Sequence, residues 1–144
     1  MSDIRFDPSK AVTFDLDRGL VQLGGTEARV LVPAEALSTL CDVAGPTAAA
    51  AFGRAVGEAM GERVATRLAG EAGVNGASVE VVVEHLGGEL SLGGMGSLSL
   101  ERWGRALVLV IDRCPLGARG DGLLEAVLGG ALGRAAGCRG RCAR

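Results

Sequence analysis

A long segment with two different faces dominates the hydrophobic pattern of this chain. Between Pro46 and Ala69, large apolar residues recur at every fourth position: Phe52, Val56, Met60, Val64 and Leu68. Small residues form a neighbouring glycine column: Ala49, Gly53, Gly57, Gly61, Ala65 and Ala69. Because positions four apart share one face of a helix, the spacing predicts a single helix over 46–69. An interior glycine costs roughly 1 kcal/mol relative to alanine, so three of them indicate that another backbone approaches this face closely.

The glycine column leaves open what packs against it. One interpretation is a tightly packed helix in the core of this chain. Another is a seam between helices, in particular a dimer seam between two copies, formed by Ala49, Gly53, Gly57, Gly61 and Ala65. A seam inside a membrane is disfavoured, because charged residues interrupt the segment and no run reaches the roughly 20 apolar residues that a span requires.

The rest of the pattern predicts short strands and three further helices. Patterns typical of strands occur at 12–16, 20–23, 28–32, 97–100 and 106–111. Helical spacing occurs at 34–43, 79–90 and 122–136. Ser78 and Asp121 are expected to cap two of these helices, and the nearly all-apolar strand at 106–111 is expected to be covered on both faces. The order β-β-β-α-α-α-β-β-α predicts an α+β fold with helices on one face of an antiparallel sheet.

Length and charge narrow the class of protein. A chain of 144 residues fits one domain, and we expect a lead-in over 1–11 and a single domain over 12–144. The net charge of −2, with acids and bases interspersed, argues against nucleic acid as a partner. Lys10 is the only lysine, and this preference for arginine indicates a GC-rich bacterial genome. The N-terminal residues show no signal-peptide pattern, so a cytoplasmic location is predicted.

Signatures of catalysis are missing from the sequence. His85 is the only histidine, and it forms no HExxH motif with Glu84 or Glu89. Neither a GxSxG elbow nor a dinucleotide fingerprint occurs, and the glycine-rich stretch 92–96 lacks the lysine of a phosphate loop. We therefore expect a protein that is not an enzyme.

The cysteines are weak candidates for a metal site. Cys138 and Cys142 are spaced by four residues, and Cys114 could be a third ligand. A closed zinc site needs four ligands, and the fourth would have to be Asp112, Asp121 or a group from a partner chain. Plain thiols, zinc, and redox or intermolecular pairing stay open as alternatives, and no cofactor is predicted.

Two runs in the second half carry a resemblance to a known family. The stretch SVEVVVEHLGGELSLGGMGSLSLERWGRALVLVIDRCP and the helix GDGLLEAVLGGALGRAAG resemble the vinyl-4-reductase domain, also called hydrocarbon-binding, whose superfamily includes the small subunits of the TRAPP tethering complex. The helix AFGRAVGEAMGERVATRLA fits the same pattern, so the resemblance spans about residues 12–137. It implies a TRAPP-small-subunit-like α+β fold, frequent homodimers and an apolar cavity between helices and sheet.

The sequence departs from the zinc-binding sensors of this family. Those sensors place a cysteine just before the last helix, where this chain has Gly120 and Asp121. Cys114 lies several residues earlier, and only Cys142 falls near a family cysteine. The family also continues into a further strand beyond the position of Arg144, and a sheet lacking that strand is expected to have an open edge that favours pairing with another chain.

Two functions are compatible with these patterns. The first is a non-enzymatic interaction or assembly module, as a homodimer or an adaptor subunit with a protein partner in a larger bacterial complex. The alternative is a sensor domain for an apolar small molecule. The candidate pocket residues are Phe52, Val56, Met60, Leu86, Met95, Trp103 and Leu124.

Overall fold

The chain folds as α+β, with small antiparallel sheets and helices packed against them. The computed structural model describes residues 7–25, 27–71 and 77–135. The strands are β1 (Val12–Asp15), β2 (Leu20–Leu23), β3 (Glu27–Arg29), β4 (Ser97–Trp103) and β5 (Ala106–Asp112). The helices are α1 (Ala34–Ala44), α2 (Pro46–Glu71), α3 (Val79–Leu92) and α4 (Asp121–Ala135), with 3₁₀ turns at Pro8–Lys10 and Gly117–Gly120. This element order agrees with the predicted one.

The strands form two sheets, so the predicted single sheet is wrong. One sheet has the order β1-β2-β3, and the other consists of β4 and β5 alone within the described ranges. The predicted third strand also ends early, at Arg29. Arg29 pairs with Val21, and β2 begins only one residue before Val21, so the strand beside β3 offers no partner for residues 31 and 32.

The hydrophobic core lies between α2, α3 and α4. Its buried members are Met60, Val64, Leu68, Val82, Leu86, Leu90, Leu116, Leu123, Val127, Ala131 and Ala135. The large apolar residues that recur at every fourth position of α2 therefore point mainly into the core. Phe52, the first of them, is 46% exposed. Asp121 is the first residue of α4 rather than the cap before it.

The glycine column of α2 packs against α4 of the same chain. A Cβ atom added at Gly53, Gly57 or Gly61 would lie 2.7, 1.9 or 2.5 Å from a backbone oxygen of α4. Gly130 of α4 makes the converse contact, because a Cβ added there would lie 2.5 Å from the backbone oxygen of Arg54 in α2. The two backbones are thus in direct contact. These three glycines are covered by α4, so they do not provide a surface for a second copy.

The strand β5 differs from its prediction. It pairs with β4 from Ser97↔Asp112 to Trp103↔Ala106, but none of its residues is fully buried. Leu107 is 47% exposed. The expectation that this strand is covered on both faces is therefore wrong for the chain taken alone.

Ser78 caps α3 through its side chain. Its Oγ accepts a hydrogen bond from the backbone N–H of Val81 at 3.4 Å. The pKa of Glu80 is held below its ordinary value, first by its own backbone N–H and then by the Ser78 hydroxyl. We expect Ser78→Ala to lower the free energy of unfolding by about 1 kcal/mol in urea titration. Ser78→Asp keeps an acceptor at this position and should stay near wild type; an equal loss in both variants would contradict the capping role.

Candidate apolar cavity

A cavity of about 680 Å³ lies between the three-stranded sheet and helices α2 and α3. Residue pairing explains one wall: Val12 lies opposite Leu23 and Phe14 opposite Val21, so all four share one face of the sheet. The remaining apolar lining comes from Val30, Leu31, Val56, Met60, Leu92 and Met95. These residues define the apolar cavity.

The structure separates the seven predicted pocket residues into three groups. Val56, Met60 and Met95 line the apolar cavity. Leu86 and Leu124 are buried, and Leu86 belongs to the core cluster. Phe52 and Trp103 are exposed, Trp103 by 64%, and the Trp103 Nε1–H donates to Glu101 at 2.8 Å.

Sequence reasoning missed the contribution of the sheet to the cavity. The signal was present, because the alternation in β1 and β2 puts Val12, Phe14, Val21 and Leu23 on one face. An apolar sheet face must be covered by something. The sequence does not say whether that cover fills the space or leaves a cavity.

A buried carboxylate forms part of the cavity wall. Glu89 is 1% exposed and lies on the same face of α3 as Val82 and Leu86. Arg63 Nε donates to Glu89 Oε2 at 2.8 Å, and Arg67 Nη1 lies 2.7 Å from Oε1. The arginines are four residues apart on α2, so both reach the same carboxylate. Arg67 Nε also donates to Nδ1 of half-buried His85 at 3.4 Å.

The other charged residues that line the cavity are also paired. Arg29 donates to Glu27 of β3 at 3.0 Å, and Glu27, which is not itself part of the lining, also accepts from Arg63 at 3.3 Å. These contacts tie the sheet to α2. Asp7 accepts from the Ser9 hydroxyl at 2.6 Å and lies 3.6 Å from Lys10. The Ser9 hydrogen bond is the main cause of the lowered pKa of Asp7. The cavity thus combines apolar walls with charges that already have partners.

A second cavity of about 880 Å³ lies on the opposite side of α2, beside α1 and α4. Small residues such as Ala49, Ala50 and Gly129 line it. Arg119, at its rim, forms ion pairs with Asp42 and with Glu35, and the Asp42 carboxylate raises the Arg119 pKa. Its lining mixes charged side chains with backbone and alanine methyl groups, so a larger share of it is polar than in the apolar cavity.

The metal candidates fall largely outside the described residues. Cys138 and Cys142 both lie there, while Cys114 and Cys41 are half-buried free thiols. Within the described ranges, no group of three His, Cys, Asp or Glu side chains is close enough to hold a metal ion. Over the same ranges, the chain has no helix whose length and apolar character would let it cross a bilayer.

Similarity to known proteins does not identify the role of the cavity. Comparison of the chain with protein-family models, with curated proteins and with solved structures gives no match. The resemblance to the vinyl-4-reductase domain therefore stays a prediction from motifs.

Proposed function

We propose that this chain binds an uncharged, apolar small molecule in the apolar cavity and does not transform it. The observation that supports this is the lining: aliphatic, aromatic and thioether side chains from the sheet, α2 and the segment from the end of α3 to Met95 line one space. The space is open to solvent on one side, where Phe14, Val30 and Leu31 are more than half exposed. Its volume of about 680 Å³ lies within the range of ligand sites, roughly 300–1,000 Å³. Apolar area removed from water contributes about 25 cal/mol per Å², so filling such a space favours binding.

The ion pairs in the wall favour a ligand without charge. A ligand carboxylate would approach Arg29 and Arg63, which already bind Glu27 and Glu89. It would also lose its hydration and meet the negative Glu89 at close range. An uncharged molecule has neither cost. It can contact the methyl and methylene groups while the ion pairs stay intact.

Titration with two fluorescent probes tests this function. Uncharged N-phenyl-1-naphthylamine is expected to saturate at about one molecule per chain, and anionic anilinonaphthalene sulfonate to bind at least tenfold more weakly, because the cavity charges are paired. Val56→Phe, which adds bulk inside the cavity, should weaken uptake of the uncharged probe about tenfold. Val79→Phe makes the same change at an exposed position of α3 and is the matched control.

Two results would overturn the proposal. One is unsaturable uptake by the folded wild-type chain, which indicates general surface adsorption. The other is equal binding by Val56→Phe and Val79→Phe. Thermal unfolding of both variants, followed by circular dichroism, separates loss of binding from loss of folding.

A second candidate function is self-assembly, as a homodimer or as an adaptor subunit. Large apolar side chains that are exposed on the single chain and lie outside the lining of the apolar cavity favour it: Leu16, Val32, Leu40, Val43, Trp103 and Leu107. Leu16, after β1, is 86% exposed. Apolar residues exposed in contiguous groups are typical of interaction surfaces. Sedimentation equilibrium tests this function. A chain that stays monomeric up to about 100 μM, a concentration at which a dimer with a micromolar dissociation constant would form, would contradict it.

A further inference from the structure

β5 has the sequence of an interior strand and the position of an edge strand. It reads ALVLVID, with an unbroken apolar run from Ala106 to Ile111. Across the ranges that the structure covers, its sole strand neighbour is β4. Strands that are apolar on both faces are usually covered on both sides. Edge strands usually carry a charge or a proline that prevents pairing, and β5 has neither before Asp112.

The turn between β4 and β5 determines which backbone groups face the open side of β5. Trp103 and Ala106 flank the two-residue turn Gly104-Arg105, in which Gly104 has φ +64°. Residues that flank such a turn exchange both of their hydrogen bonds. Since the direction alternates along a strand, Ala106, Val108 and Val110 bond to β4.

The N–H and C=O groups of the other residues of β5 therefore point away from β4. These residues are Leu107, Leu109 and Ile111, and they define the open edge of β5. Each presents one donor and one acceptor. Backbone groups in this arrangement are a template for another antiparallel strand.

We propose that two copies of this chain pair antiparallel through the open edge of β5, about a twofold axis at Leu109. This inference rests on the self-assembly function proposed above. In this register Leu109 lies opposite Leu109 of the second copy, and Leu107 lies opposite Ile111 of the second copy. Val108 then lies opposite Val110 of the second copy. Leu107, Leu109 and Ile111 of the two copies exchange about six backbone hydrogen bonds. The side chains in each of the opposing pairs named above are aliphatic.

A second copy fits this edge better than an unrelated strand. A twofold interface needs a surface that complements itself, and an antiparallel strand centred on Leu109 meets this condition with no charge inside the pairing. The axis is perpendicular to the sheet, so α3 covers the same face of the sheet in both copies. A two-stranded sheet is only marginally stable by itself. In the dimer, the two sheets join into one sheet of four strands.

The expected dimer is a weak one. Pairing along one strand buries less surface than the roughly 800 Å² per partner of a standard interface. We therefore expect dissociation in the micromolar range. Asp112 follows the apolar run and Arg105 precedes it, so charges lie at both ends of the paired strand, as at the rim of an interface.

Two substitutions at Leu107 test the pairing by sedimentation equilibrium. Leu107→Ala removes most of the side chain and keeps the N–H, whereas Leu107→Pro also removes an N–H that does not bond to β4. An edge position of this kind tolerates proline. We expect Leu107→Pro to raise the dimer dissociation constant at least tenfold and Leu107→Ala to change it less than threefold, since the pairing depends on the backbone.

The outcomes separate the two levels of the proposal. A wild-type chain that is monomeric throughout overturns self-assembly and edge pairing together. A dimer that dissociates equally in Leu107→Pro and wild type overturns the edge pairing alone. If Leu107→Pro does not fold, hydrogen exchange of the wild type decides: the amides of Leu107, Leu109 and Ile111 should gain protection with rising protein concentration, and protection independent of concentration contradicts the pairing.

Discussion

Gly57→Ala is expected to lower the free energy of unfolding by about 3 kcal/mol, because overpacking of a tight interior costs this order of energy. The new Cβ would lie 1.9 Å from the Val127 carbonyl oxygen and 2.9 Å from the Ala131 nitrogen. Both are backbone atoms of α4, which cannot turn aside as a side chain can. The helices would have to separate. Urea denaturation followed by circular dichroism measures the change.

Gly87→Ala is the matched control for this experiment. Gly87 lies inside α3, and its Cβ would be 3.5 Å from the Leu98 oxygen, an ordinary contact distance. Alanine is the better helix former by up to about 1 kcal/mol, so this variant should be as stable as wild type or more so. If Gly57→Ala were equally stable, the direct contact between α2 and α4 would be wrong.

Glu89→Gln is expected to cost about 3 kcal/mol of stability, because removing the charge of one partner from a buried ion pair costs this order of energy. The substitution keeps the size of the side chain and removes its charge. Arg63 and Arg67 then lose the carboxylate that both contact at 2.7–2.8 Å. Urea titration measures the loss, and it should persist at high salt, since buried pairs are screened little.

The control for this substitution is Glu62→Gln. Glu62 pairs with Arg134 at the surface, where both side chains are more than half exposed. Loss of an exposed pair costs about 0–1 kcal/mol. A comparable loss in both variants would contradict a buried role for Glu89.

Glu89→Gln also tests whether the buried carboxylate determines the charge of the ligand that the apolar cavity binds. With Glu89 neutral, Arg63 retains only Glu27 as a carboxylate partner among the contacts described above. Anilinonaphthalene sulfonate should then bind more tightly to Glu89→Gln than to wild type, while the uncharged probe changes little. Unchanged discrimination between the probes would mean that Glu89 does not determine the charge preference of the cavity.

Local patterns made much of the fold predictable. The four-residue spacing of Val56, Met60 and Val64 fixes a helix and its buried face regardless of the rest of the chain. The alternation in β1 and β2 likewise fixes which residues face inward. The predicted helix 46–69 compares with α2 at Pro46–Glu71, and such small shifts are usual where helix ends fray.

Contacts between distant segments were harder to predict. The glycine column indicates a close neighbour, but nothing in α2 identifies α4 as that neighbour. The division of the strands into two sheets depends on how the helices place them, which no short window of sequence contains. Glu89 interrupts the apolar face of α3, and only its position opposite Arg63 and Arg67 explains why a carboxylate lies there.

The direct contact between α2 and α4 also bears on how the chain folds. Its two sides are far apart in sequence, so α2 leaves the ribosome well before α4 has been synthesised. Until then, the glycine column of α2 and the large apolar residues beside it stay uncovered. We therefore expect nascent chains that stop before residue 121 to associate with chaperones, and release to coincide with the emergence of the last helix.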